Sequence, residues 1–174
     1  HAVARVLMIH SIILSIGGIP LLYSGDELGL LNNYDYQDDP SKAHDGRWVH
    51  RLSIQDSDIN NTKKIDTPNQ RIAQGLEHLI LLRKHNKILV NADTDFIEVN
   101  KEHVFAYTRR NDQGQVLLAL VNVSEDVQGL DAKILTQLNA SSVMDLISKE
   151  YIDGLSSDIQ LLPYQTMWLV TDKI

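Results

Sequence analysis

The chain has 174 residues, 43% hydrophobic and 22% charged, which fits one sizeable globular domain or two small ones. It contains no cysteine, which excludes disulfide scaffolds and thiolate metal sites. The net charge of -7 sits in the second half: residues 1–90 hold 10 Lys/Arg and 10 Asp/Glu, and residues 91–174 hold 6 and 13. A module boundary is therefore expected near residue 91, and the acidic second half argues against a nucleic-acid partner.

Ala2 to Ser15 reads as a helix. Val3, Val6, Leu7, His10 and Leu14 fall near one face, and Met8, Ile9, Ile12 and Ile13 make the other sides apolar, so burial on most sides is expected. Gly17-Gly18 ends it. The apolar run from Ile12 to Tyr23 is broken by Ser15, Gly17, Gly18 and Pro20, too short and interrupted for a bilayer span, so no membrane partner is expected. The first residue is His, with no basic lead and cleavage site after it, and the expectation is a chain that starts inside a larger protein. Ile19 to Tyr23 reads as a continuous apolar strand of the kind covered on both faces in a parallel sheet, with Pro20 tolerable near its start.

Ser24 to Asp66 reads as one long polar loop, a length usually reserved for function. Thr67 is then an N-cap, Pro68 the first helical position and Gln70 the partner in a capping box. Ile72, Leu76, Leu79, Ile80 and Leu82 follow at helical spacing, and Asn86 is a stop. Helix, buried strand, long loop, helix is the grammar of a repeating α/β fold cut from a larger whole.

Beyond this the period changes. Phe96 to Val99, His103 to Thr108, Val116 to Val123, Ser142 to Ile147, Ile159 to Leu162 and Met167 to Val170 are short strand candidates. Turn signals at Asn100-Lys101, Asn111-Asp112-Gln113-Gly114, Asp153-Gly154 and Pro163 separate them. An antiparallel sandwich or small barrel is predicted.

The stretch GIPLLYSGDELG, with Gly18, Pro20, Tyr23, Gly25 and Glu27, resembles the motif at the eighth barrel strand of the α-amylase superfamily. The continuation is more specific: Leu31-Asn32-Asn33, Asp38-Asp39-Pro40 and Asp45-Gly46-Arg47-Trp48-Val49-His50-Arg51 resemble the amylosucrase and sucrose hydrolase branch of glycoside hydrolase family 13. Asn33 and Gly46 depart from positions that are often Asp and Ser in that branch. The resemblance is close over about residues 1–90.

The resemblance implies the C-terminal part of a (β/α)8 TIM barrel over residues 1–92, followed by an antiparallel β-sandwich domain over 93–174. It implies a retaining enzyme that takes glucose from sucrose, releases fructose, and passes glucose to an α-glucan or to water. Such a mechanism needs two carboxyl groups about 5 to 5.5 Å apart. In the superfamily these follow earlier barrel strands, so no catalytic residue is assigned within this chain. Adjacent residues on a strand point to opposite faces, so Asp26 and Glu27 cannot face each other across one bond. Arg47 is carried over as a sucrose-binding residue, its planar fork suited to sugar hydroxyls or a pocket carboxylate. Asp45 and Tyr34 are grouped with it as substrate-binding. Gly25, Asp26, Glu27 and Trp48 are assigned to the structural motif.

Each assignment has a plainer alternative. Arg47 could form a surface ion pair with Asp45 or Asp39. Glu27 suits acceptance of backbone N–H bonds, and Asp26 a turn. Trp48 could stack on a sugar, but anchoring of the loop is favoured. Tyr34 and Tyr36 could line an acceptor groove or simply pack the loop. His44 and His50 lack zinc-type spacing. Asp35, Asp38 and Asp39 invite calcium, but no EF-hand fits them, which leaves only a looser oxygen-ligand site. No metal or other cofactor is assigned. A stand-alone carbohydrate-binding or interaction module is the rival from a different class. A lone apolar strand at Ile19 to Tyr23 would also be an aggregation edge, so missing N-terminal barrel segments or a second copy are expected partners.

Overall fold

The computed structural model describes residues 1–140, 142–153 and 158–171. Among these, the helices are α1 (Ala2–Ser15), α2 (Asp56–Asn61) and α3 (Pro68–His85). The strands are β1 (Asp93–Ile97), β2 (Val104–Arg110), β3 (Val116–Asn122), β4 (Gln128–Leu130), β5 (Ser142–Asp145), β6 (Tyr151–Asp153), β7 (Ile159–Leu161) and β8 (Thr166–Val170). The chain forms two compact units, one of Leu22–Leu76 and one of His1–Leu21 with the residues from Glu77 onward.

The second unit is a β-sandwich. A 6-stranded sheet in the order β1-β2-β3-β8-β5-β6 lies with a 2-stranded sheet of β4 and β7, and every pairing is antiparallel. β3 reads VLLALVN and has almost no polar alternation because both of its faces are covered. Leu117, Ala119 and Val121 share one face with Tyr107, Trp168 and Val170, against Met8, Leu14, Leu79 and Leu82 of α1 and α3. Leu118 and Leu120 share the other with Ala106 and Leu169, against Leu130, Ile159 and Leu161 of the small sheet and Leu135 and Leu138 of a 3-10 turn. Each fully buried Leu or Trp contributes about 1.5 to 3 kcal/mol by removal from water.

Asn122 pins the two sheets together. Its buried amide donates to the carbonyls of Asp126 at 2.7 Å, Leu162 at 2.9 Å and Leu161 at 3.2 Å. Its oxygen accepts from the Ser124 amide and hydroxyl at 2.9 and 2.8 Å.

The end of α1 is held by side chains from far along the chain. The last carbonyls of a helix have no intrahelical donor. Here Arg83 Nη1 donates to Leu14 O at 2.5 Å, Arg109 Nη1 to Ser15 O at 2.7 Å, and Thr94 Oγ1 to Ile16 O at 2.5 Å. Arg83 Nη2 reaches Gly18 O at 3.0 Å. The positive charges also complement the negative end of the helix dipole. Burial pushes both guanidinium groups below their ordinary value.

Several expectations are corrected. Ile19 to Tyr23 is in no sheet, and Ile19 and Leu21 are 89% and 81% exposed. A strand exists only by pairing, and no neighbouring parallel strand is present in the sheets of this chain. α1 is not buried on most sides. Its buried face carries Met8, Ser11, Leu14 and Ser15, while Ile9 is 51% exposed. Ser11 and Ser15 bury because they bond Thr166 Oγ1 at 2.7 Å and Tyr107 Oη at 2.5 Å, partners that helical periodicity cannot foresee. The Ser24 to Asp66 loop holds α2 and 3-10 turns at Asp26–Leu28, Asp35–Asp38 and Gly46–His50. β4 and β6 have 3 residues each, too short to read from alternation. Compactness does not break at residue 92, because α1 and the end of α3 pack on the sandwich sheet. Of the expected Asp153-Gly154 turn, Gly154 lies outside the described residues.

Candidate substrate-binding loop

The Leu22–Leu76 unit carries the motif residues. Gly25 and Gly29 take φ of 109° and 65°, values that favour glycine, and they bracket the Asp26–Leu28 turn. Glu27 folds back so that Oε2 accepts the Gly25 N–H at 2.8 Å. Its carboxylate serves the turn, as the structural alternative held. Asn69 of α3 donates to Leu28 O at 2.6 Å and ties this turn to the helix. At the start of α3, Thr67 Oγ1 accepts the Gln70 N–H at 3.2 Å. Gln70 returns a bond to Asp66 N–H at 2.7 Å, not to Thr67 as a simple capping box requires.

The signature region closes on itself through the Asn33 N–H, which donates to Val49 O at 2.8 Å. Asn33 Oδ1 accepts from Asp35 N at 2.8 Å, a role an aspartate would fill equally. At Gly46 an added Cβ would meet only Tyr36 Oη, at 3.9 Å, so a serine fits there. The two departures from the motif therefore leave its local geometry intact.

Asp45 begins the Gly46–His50 turn by accepting the Arg47 N–H at 3.0 Å. The Arg47 guanidinium then meets the same carboxylate with two parallel bonds, Nε to Oδ1 at 2.8 Å and Nη2 to Oδ2 at 2.9 Å. Arg51 adds a looser contact to Oδ2 at 3.9 Å. Hydrogen bonds from Arg47 hold the Asp45 carboxyl down at about 2. Asp45 is thus ionised at neutral pH, and the Arg47 fork is set in one plane. The Arg47 side chain keeps 71% exposure, with much of its surface open beyond the ion pair.

Trp48 lies between cations. Lys42 Nζ is 5.3 Å and the Arg51 guanidinium carbon 5.6 Å from its ring centroid. Lys42 in turn pairs with Asp39 at 3.0 Å. The Asp39 carboxyl is held at about 2 by hydrogen bonds from Ser41 and Lys42. Tyr23 and His50 meet edge to face at 5.5 Å.

A cleft of about 400 Å³ opens here, with Asp35, Tyr36, Asp39, Lys42, Trp48 and Arg51 in its walls. Tyr34 is 61% exposed and does not line it. The two tyrosines grouped by sequence are thus separated. Lys42 was not anticipated as a site residue. Its signal was the Asp39–Lys42 spacing of three across Pro40-Ser41, which makes an Asp-capped turn. Among the described residues no group of His, Asp and Glu converges as a metal site, and no helix is long and apolar enough to cross a membrane.

No family model matches the chain. Over 169 residues, 95% of its length, it is 31% identical to the glucosylglycerate phosphorylase of Escherichia coli (strain K12), of which it spans 28%. Its fold matches the amylase AmyP in complex with maltotriose at a TM-score of 0.69, 18% identity, and coverage of 98% of this chain and 35% of that one. It matches the trehalulose synthase MutB from Pseudomonas mesoacidophila MX-45 at 0.65 and 18%, covering 97% and 38%. The α-amylase from Geobacillus thermoleovorans complexed with acarbose gives 0.68 and 14%, covering 100% and 34%. The chain thus spans well under half of each relative. These likenesses, with the motif from Gly18 to Glu27, support a place for the chain in the α-amylase family, with the fold of a part of such an enzyme that ends in a β-sandwich.

Proposed function

We propose that these residues belong to an amylosucrase-like glucosyltransferase, with residues 1–92 as the end of its barrel and 93–174 as its β-sandwich domain. The observation that carries this reading is the Asp45–Arg47 fork inside a loop with the amylosucrase signature. In this reading the glycosidic bond of sucrose breaks as a carboxylate of the parent enzyme bonds the glucosyl carbon. Fructose leaves with a proton, and an acceptor hydroxyl then takes the glucosyl group. The catalytic carboxylates are assigned to the parent enzyme outside these residues. Arg47 offers guanidinium donors to the donor sugar, Asp45 holds it, and Tyr34 lies exposed on the same loop. Trp48 and Glu27 hold the loop in shape. Other barrel segments of the parent would cover the exposed Ile19 and Leu21.

A second reading follows from the likeness to glucosylglycerate phosphorylase: the same glucosyl intermediate would be released by phosphate. Sucrose hydrolase is the variant in which water accepts. Product analysis of the complete protein tests all three. Incubation with sucrose, with and without maltooligosaccharide or inorganic phosphate, gives longer glucan, glucose 1-phosphate or free glucose. Glucan growth supports the proposal. Glucose 1-phosphate alone, or no use of sucrose, overturns it.

A further inference from the structure

We infer that the cleft beside the Asp45–Arg47 fork is a subsite for neutral α-glucan acceptors, an inference that rests on the glucosyl-transfer reading above. Its volume of about 400 Å³ lies within the range of small-molecule pockets, about 300 to 1,000 Å³. Its walls are pre-set. The Asn33 N–H bond to Val49 O, 2.8 Å, fastens the strip that carries Asp35 and Tyr36 to the turn that carries Trp48. Trp48 is fixed by Lys42 and Arg51 at 5.3 and 5.6 Å from its ring, so it serves as a rigid apolar wall and does not swing.

The charge in the cleft decides the ligand class. Asp35 and Asp39 balance Lys42 and Arg51. Lys42 is paired with Asp39 at 3.0 Å, and Arg51 leans on Asp45 at 3.9 Å. An anion such as phosphate would have to displace these carboxylates to reach either cation. A neutral polyhydroxyl ligand needs no such exchange. It finds acceptors on Asp35, donors on Arg51, a hydroxyl on Tyr36 and another on Ser53. Arg47 and Tyr34 do not line this cleft, so it is distinct from the donor contact assigned to Arg47.

The test uses the complete enzyme with sucrose as donor and maltotetraose as acceptor, in the variants Tyr36→Phe and Asp35→Asn. Each removes or weakens a hydrogen-bonding group without emptying the wall. The KM for maltotetraose should rise about 2- to 10-fold, the value of one hydrogen bond, with the KM for sucrose moving less than about twofold. Calorimetric binding of maltotetraose should weaken in parallel. Equal acceptor KM values in wild type and both variants, or an equal rise for sucrose, overturn the inference. So does inorganic phosphate competing with maltotetraose. Absence of turnover would overturn the glucosyl-transfer reading alone, since the calorimetric difference between wild type and variants decides the cleft without it.

Discussion

Arg47 and Asp45 meet fork to fork, with Nε on Oδ1 at 2.8 Å and Nη2 on Oδ2 at 2.9 Å, and the Arg47 amide caps the same carboxylate. One carboxylate thus sets both the backbone turn and the plane of the guanidinium. A sugar reaching the exposed edge of that fork meets donors already oriented, which lowers the entropy of binding.

Replacement Arg47→Ala in the complete enzyme is expected to lower kcat/KM for sucrose about 10- to 100-fold. That is the value of hydrogen bonds from a charged donor, about 1.5 to 3 kcal/mol. Steady-state kinetics with sucrose read this directly. Unchanged kinetics would mean the fork is only a surface ion pair, the alternative that sequence left open.

Asn122 donates to three carbonyls and accepts from Ser124 in a site with no exposure. Asn122→Ala strands those groups and is expected to cost about 2 to 4 kcal/mol. Asn122→Asp is expected to cost more at pH 7, because a carboxylate then faces carbonyl oxygens, and to recover part of the loss near pH 4 when it takes a proton. Urea denaturation of the complete protein at both pH values checks the order. An aspartate variant as stable as the wild type at pH 7 would refute the donor assignment.

Much of the sandwich was legible. Val116 to Val123 and Met167 to Val170 are dense in β-branched and apolar residues, and the Asn111 to Gly114 turn separates β2 from β3. The Arg47–Asp45 pair was legible too, as two charges two residues apart. What escaped was non-local. Ile19 to Tyr23 has a strand's composition but no partner in the sheets of this chain, and composition does not report partners. Ser11, Ser15 and Arg109 are polar residues that sequence would leave at the surface. They are buried because Thr166, Tyr107 and the end of α1 satisfy them. Lys42 escaped because its meaning lies in Trp48, which only the closed loop brings over it.

Tyr107 gives a pH prediction. Burial pushes its phenol up to about 12, against the counteracting bond with Ser15. The group is protonated in the folded chain when the unfolded chain, near pH 10, begins to lose its proton. Its contribution is therefore complete below about pH 10 and is lost as pH rises from there to about 12, in total about 2 to 3 kcal/mol. Tyr107→Phe should flatten that stretch of the stability–pH curve and cost about 1 kcal/mol at pH 7 through the lost Ser15 bond. Denaturation midpoints from pH 8 to 12 measure it. A curve of identical slope in the variant would exclude Tyr107 as the titrating group.

Gly17 and Gly18 separate two costs that adjacent glycines usually confound. Both take positive φ, 119° and 70°, so alanine at either carries backbone strain of about 1 to 2 kcal/mol. At Gly18 nothing lies within 4 Å of an added Cβ, and strain is the whole effect. At Gly17 the Cβ would sit 3.0 Å from Arg109 Nη1 and 3.3 Å from Thr94 Oγ1. Neither atom can withdraw freely, because one holds Ser15 O at 2.7 Å and the other Ile16 O at 2.5 Å. Gly17→Ala must therefore also loosen the cap on α1, adding about 1 to 3 kcal/mol for buried carbonyls left without donors. Thermal denaturation of the two variants should show the larger fall for Gly17→Ala. Arg109→Ala combined with Gly17→Ala should cost less than the sum of the single changes, because the clash disappears with the guanidinium. Equal falls for the two glycine variants, or strict additivity in the pair, would show that Arg109 does not enforce glycine at position 17.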